Sequence, residues 1–162
     1  SYGRQTKSRQ TVENRYRLMW HNVTYEPGEV KVIAYDADGK AVAEKNVYTA
    51  GKPHHIELQT DYTSLKADGK DLAYVIVRVV DKEGNLCPTD GRLLNFRVKG
   101  AGLYRASANG DPTCLDLFHL PQMHAFNGML TVIVQAGETA GNLELQVSAK
   151  GLKTARLVLP VQ

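Results

Sequence analysis

The longest unbroken apolar run in the chain is Leu72–Asp81, Leu-Ala-Tyr-Val-Ile-Val-Arg-Val-Val-Asp, with no Gly or Pro inside it. Turn chemistry brackets it, with Ala67-Asp68-Gly69-Lys70 before and Asp81-Lys82-Glu83-Gly84-Asn85 after. A run that is apolar at nearly every position and closed by turns predicts a β-strand buried on one face and well covered on the other. Period-2 geometry puts Val75, Val77 and Val79 on one face and Tyr74, Ile76 and Val80 on the other. This strand is the expected centre of a β-sandwich.

The same alternation marks further strands on either side. Upstream, Tyr16–His21 places Tyr16, Leu18 and Trp20 on one face, and Glu29–Tyr35 alternates Val30, Val32 and Ala34 against Lys31, Ile33 and Tyr35. Asp36-Ala37-Asp38-Gly39-Lys40 then predicts a hairpin turn of type I′ onto Ala41–Tyr48. Downstream, strands are expected at His55–Gln59, Leu93–Val98, Leu103–Ala106, Phe126–Gln135, Asn142–Ala149 and Lys153–Pro160. Ser107–Ala125, rich in Asn, Gly, Asp, Pro and His, reads as one long loop. No segment carries a helical period. Strands at this spacing with turns between them predict an all-β chain.

Thr49-Ala50-Gly51-Lys52-Pro53 punctuates the pattern and divides it. Residues 1–50 read as the C-terminal part of a truncated Ig-like β module, 51–53 as a linker, and 54–162 as an Ig-like β-sandwich. Three strands need a covered apolar face to be stable, so the first module leaves Trp20, Val30 and Val32 in want of cover. Either the second module or a neighbouring copy, in a homodimer through that module, would supply it. The start at Ser1-Tyr2-Gly3-Arg4, without Met or an apolar leader core, is expected of an excised fragment.

Charge changes this picture little. The chain carries a net +3, with Arg4, Lys7, Arg9, Arg15 and Arg17 against Glu13 concentrated in the first 20 residues. One basic arm without a second basic stripe or base-stacking aromatics reads as a solvated loop, and no nucleic-acid partner is expected. No apolar run approaches the roughly 20 residues of a membrane helix, so no membrane partner is expected either. Cys87 and Cys114 lack Cys-x-x-Cys spacing and read as free thiols.

Candidate chemistry is sparse. Hydrolysis of glycosides needs two facing carboxylates with retuned acidities. Here the acids sit mostly in turns (Asp36, Asp38, Asp68, Asp81, Glu83), where they are expected to be solvated and unperturbed, so no catalytic residue is assigned. His54 and His55, as strand neighbours, are expected to point to opposite faces. His119 and His124 share a loop with Asp111 and Asp116 but without ligand-grade spacing, and neither a metal nor a cofactor is expected. A ligand site in this loop would use Asn109, Asp111, His119 and His124 as hydrogen-bonding groups, with Tyr104 or Phe118 as a stacking plate. The alternative is loop architecture, in which Asn-Gly and Asp-Pro fix tight turns.

Three stretches in order resemble a known family. They are Trp20 through Tyr25-Glu26-Pro27-Gly28-Glu29 to Tyr35, then Thr49–Pro53, then Lys66-Ala67-Asp68-Gly69-Lys70-Asp71-Leu72. Asn109–Thr113 and Ala125–Gly128 fit the same pattern. Together they resemble the C-terminal region of bacterial β-galactosidases of glycoside hydrolase family 2. The resemblance implies Ig-like modules that follow a sugar-binding domain, an Ig-like domain and a (β/α)8 barrel. The catalytic glutamates would lie in that barrel and in no residue here. It implies a non-catalytic accessory region, with the preceding domains of the parent glycosidase as partners, in the periplasm or outside a Gram-negative cell. Two other readings stand beside it. A carbohydrate-binding module would need an exposed aromatic platform, whereas Trp20, Tyr35, Tyr74 and Phe96 are expected in cores. An adhesin-type repeat is prompted by the similarity of Ala67-Asp68-Gly69 and the next strand to invasin-type Ig-like domains.

Overall fold

The structure, a computed structural model, describes Lys7 and residues 16–162; the loop read at Ser1–Asn14 lies largely outside the described residues. The chain divides into two compact units, Ser1–Val47 and Tyr48–Gln162. Every regular element among the described residues is a β-strand.

In the first unit β1 (Glu29–Tyr35) pairs with β2 (Ala41–Tyr48) as a two-stranded sheet. The turn between them is not type I′, which requires positive φ at two adjacent residues. Only Gly39 is left-handed, at φ 78°. The Asp36 carboxylate instead accepts the amides of Asp38 and Lys40 at 3.1 and 2.8 Å, and Gly39 N–H donates to Asp36 O. This is a type I turn closed by a left-handed glycine. Tyr16–His21 forms no strand. A short alternating run needs a neighbouring strand for its backbone groups, and among the described residues no strand pairs with it; Met19 O accepts a hydrogen bond from Lys7 Nζ instead. Val30 and Val32 remain exposed, and so does Tyr35, which was expected in a core.

The second unit is a β-sandwich of two four-stranded antiparallel sheets. One has the order β3-β4-β8-β6, from His55–Gln59, Leu72–Val80, Met129–Ala136 and Gly102–Ala108. The other has the order β10-β9-β5-β7, from Ala155–Val161, Gly141–Ala149, Leu93–Gly100 and Gln122–His124. Alternate residues of each strand turn inward. Ala73, Val75 and Val77 of β4 stand opposite Val134, Val132 and Leu130 of β8, with Val79 continuing the buried row. Leu143, Leu145 and Val147 of β9, with Leu94 and Phe96 of β5, close the core from the other side. Val75, Val77 and Val79 are all fully buried. Replacing Val77 by alanine removes two methyl groups from this layer and is expected to cost about 1–3 kcal/mol. Urea unfolding with an unchanged slope checks it.

The outer face of β4 differs from expectation. Val80 is buried, but Tyr74 and Ile76 are exposed at 47% and 41%. The sandwich supplies only one sheet to pack against, so residues of the opposite parity meet solvent within this chain. Two further boundaries move. β8 begins at Met129, because Asn127 and Gly128 are both left-handed (φ 51° and 74°) and Phe126 and Met129 exchange backbone hydrogen bonds across them. Asn127-Gly128 therefore forms a type I′ turn. Within the expected long loop, Gln122–His124 pairs with Leu93–Asn95 as β7.

Candidate functional site

Three of the four candidate ligand-binding residues, Asn109, Asp111 and His119, lie in the loop between β6 and β7, and the fourth, His124, ends β7; a polar network organises the loop's backbone. Its root is Tyr104. Tyr104 stands opposite the buried Val134 and so faces inward, where its ring stacks on Phe96 with centroids 5.8 Å apart and planes 10° from parallel; the bulge that follows turns Ala106 outward and Ser107 inward. The hydroxyl lies 2.9 Å from Ser107 Oγ, 2.9 Å from Phe118 O and 2.6 Å from Leu120 O. Burial raises its pKa. A ring committed to Phe96 cannot also be a stacking plate for a ligand, so that role falls away for Tyr104; Phe118, exposed at 59%, keeps its ring in solvent.

Asn109 spans the loop. Its Nδ2 donates to His124 O at 2.9 Å and approaches Cys114 Sγ at 3.2 Å, while its Oδ1 accepts the Asp111 amide at 3.0 Å. Asp111 Oδ1 accepts both the amide and the hydroxyl of Thr113, at 2.8 and 2.7 Å. Asp116 reaches across eight residues. Its Oδ2 accepts the His124 amide at 2.7 Å and faces His124 Nδ1 at 2.9 Å. The His124 amide, then the His124 side chain, holds the Asp116 carboxyl below its ordinary pKa. Thus Asn109, Asp111 and His124 belong to one network, whose polar atoms face the loop's own backbone. His119 stands apart, on the rim of an open depression that Ala106, Leu115, Leu117 and Phe118 also line. Among the described residues no three of His, Cys, Asp and Glu converge as a metal site.

The network has an unusual outer surface. While Tyr104, Asp116 and Asn109 pin the backbone, Leu115 projects into solvent at 93% exposure and Leu117 at 56%.

Two polar centres escaped the sequence reading. Asp81, expected to be a solvated turn carboxylate, is 1% exposed. Its Oδ1 accepts the amides of Glu83 and Asn85 at 3.0 and 2.8 Å, and its Oδ2 accepts Gly51 N–H at 2.7 Å and Asn85 Nδ2 at 3.1 Å. The Gly51 amide leads the interactions that lower its pKa. The signal was present: Asp81 directly follows Val79-Val80 at the buried end of β4, so its side chain starts inside the sandwich. Asp68 is likewise held below its ordinary pKa by the Lys70 and Asp71 amides. The second centre is Asp90, which takes Arg92 in a fork, Nε at 2.8 Å and a terminal nitrogen at 2.6 Å. Arg92 also donates to Lys150 O at 3.0 Å. His54 and His55 do not point apart either: their Nδ1 atoms lie 3.0 Å from each other. β3 begins at His55, so strand alternation does not reach His54.

Comparison with known proteins places these features. Residues 56–158 match the family model described as glycoside hydrolase family 2 C-terminal domain 5, and residues 1–43 match a domain of unknown function, DUF4982. The β-galactosidase BoGH2A of Bacteroides ovatus is 43% identical over 140 residues, 86% of this chain and 16% of that protein. A β-glucuronidase of Formosa agariphila is 27% identical over 150 residues, 91% of this chain and 15% of that protein. Among solved structures, a glycosyl hydrolase family 2 member from Bacteroides cellulosilyticus superposes with a TM-score of 0.84 at 26% identity, covering 93% of this chain and 20% of that one. A β-glycosidase from Bacteroides vulgatus gives 0.82 at 29%, covering 86% and 18%. The chain therefore spans about a sixth of the two named relatives and up to a fifth of the two structures.

Proposed function

The chain belongs to the glycoside hydrolase family 2 C-terminal domain 5 family, and on that premise we propose that it is a non-catalytic accessory region of a β-galactosidase-type enzyme. The hydrolysis of terminal β-galactosides falls to the parent's preceding catalytic domain, and this region's partners are the domains before it. The observation that carries the reading is the use made of the carboxylates. Asp68, Asp81 and Asp116 accept backbone amides, Asp90 grips Arg92, and the pKa of each is lowered. A glycosidase acid needs the opposite, a carboxyl kept protonated by a raised pKa and facing a second carboxylate. The β-galactosidase type is favoured over β-glucuronidase by the higher identity to the former, 43% against 27%.

Incubated with aryl β-galactosides and aryl β-glucuronides, the 162-residue chain is expected to release aryl alcohol at the buffer rate. Turnover abolished by Asp111→Asn or Asp116→Asn would overturn the accessory role. The full-length enzyme is expected to prefer the galactoside, and a glucuronide preference would overturn the β-galactosidase assignment.

A further inference from the structure

Exposed and half-exposed apolar residues line up across the outer face of one sheet. Tyr74 of β4 stands opposite Ile133 of β8, which stands opposite Ala106 of β6, so all three share one cross-strand row. Their chain neighbours Val75, Val132 and Ser107 are buried, so alternation turns the row outward. At the β4 end the Tyr62 ring lies 6.3 Å from the Tyr74 ring. At the β6 end Ala106 lines the depression shared with Leu115 and Phe118. The result is one apolar band across the outer face of the β3-β4-β8-β6 sheet and onto the pinned loop. Strand spacing makes it roughly 20 Å long.

Two features require cover for this band. The β4 sequence is apolar on both faces, the pattern of a strand buried on two sides, yet only one side is filled. The loop that ends the band is held rigid by Tyr104, Asn109 and Asp116 while Leu115 stands 93% exposed. A pre-organised apolar projection lowers the ordering cost of docking.

We propose that this band is the surface on which the region seats against the preceding part of its own polypeptide. The proposal rests on the accessory-region reading above. The polypeptide outside this region argues for that occupant. In the relatives BoGH2A and the Formosa agariphila β-glucuronidase, the matched stretch is 16% and 15% of the protein. Such a tether holds the rest of the chain at about millimolar effective concentration, well ahead of a free second copy. Inter-domain contacts of about 600–1,500 Å² suit a band of this length. A sugar fits it less well. The Tyr62 and Tyr74 planes are tilted by 36°, so they form no common platform, and Phe118 lies at the far, loop end of the band.

Hydroxyl-radical footprinting of the full-length protein tests the proposal, at a concentration where light scattering shows a monomer. Val158, exposed at 50% on the other sheet, is the internal reference. Tyr74, Leu115 and Phe118 are expected to oxidise several-fold more slowly than their exposure in the 162-residue chain dictates, with Val158 unchanged. Leu115→Asp, harmless to the sandwich because the side chain touches little of it, is expected to shorten the thermal half-life of the full-length protein several-fold, while Val158→Asp does not. Oxidation of the band at the rate its exposure predicts overturns the proposal. So does protection that appears only in a dimer, which would make the occupant a second copy, or only with added galacto-oligosaccharide, which would make it a sugar. Absence of glycosidase activity in the same preparation would sink the accessory-region reading, while a protected band would still support docking.

Discussion

Gly100→Ala is expected to remove a large share of the stability of the sandwich. Gly100 ends β5 at φ 81°, and the next two residues carry the chain from one sheet into the other. A Cβ built there would stand 2.0 Å from Asn142 O, a backbone atom of β9. That carbonyl cannot withdraw freely, because it accepts Ala101 N–H at 2.9 Å. The left-handed conformation alone costs a non-glycine residue about 1–2 kcal/mol, and forcing the two backbones apart adds about 2–3 kcal/mol. A total of about 3–5 kcal/mol is a large share of the roughly 5–15 kcal/mol that holds a typical domain. Gly110→Ala separates the two contributions. Gly110 has φ 78° but nothing within 4 Å of its added Cβ, so it is expected to lose only the conformational part, about 1 kcal/mol. Denaturant unfolding of both variants checks the difference. Equal losses would show that the close approach of β5 to β9 carries no energetic weight.

The inner half of this fold was legible because period-2 burial is a local property. Val75, Val77 and Val79 declare a buried face whatever they pack against. The outer half was not, because Tyr74 and Ile76 carry the same apolar signal and yet stay exposed. A strand's own residues cannot say where its second cover comes from. Gln122–His124 was missed for a different reason. Three residues without β-branched side chains give no period, and only the edge of β5 makes them a strand.

The candidate site divides along the same line. Asn109 and Asp111 sit beside Gly110 and Pro112, so their turns were readable. The Asp116–His124 link spans eight residues, and Tyr104 reaches Leu120 across sixteen. Neither contact has a sequence signature. Without them the loop reads as a polar surface. With them its polar atoms serve its backbone, and its apolar residues are what it presents.

Asp81→Asn is expected to destabilise the chain more than Val77→Ala at neutral pH, and the difference from wild type is expected to vanish in acid. The asparagine oxygen can replace one carboxylate oxygen toward the Glu83 and Asn85 amides. Its NH2 group then faces two donors, Gly51 N–H and Asn85 Nδ2, where Oδ2 had accepted both. Buried donors left without an acceptor are costly. The sign of the pH effect follows from the lowered pKa of Asp81 in the folded chain. A depressed carboxylate contributes its stabilisation above the unfolded-state value, about pH 4, and loses it as pH falls through the folded-state value. Asp68, Asp90 and Asp116 are shifted the same way, so wild type itself should melt progressively earlier below about pH 4. Melting temperatures of wild type and Asp81→Asn across this range should be far apart at neutral pH and draw together toward the acid end. A gap that stays constant into strong acid would mean that Asp81 acts through packing and that its charge contributes nothing.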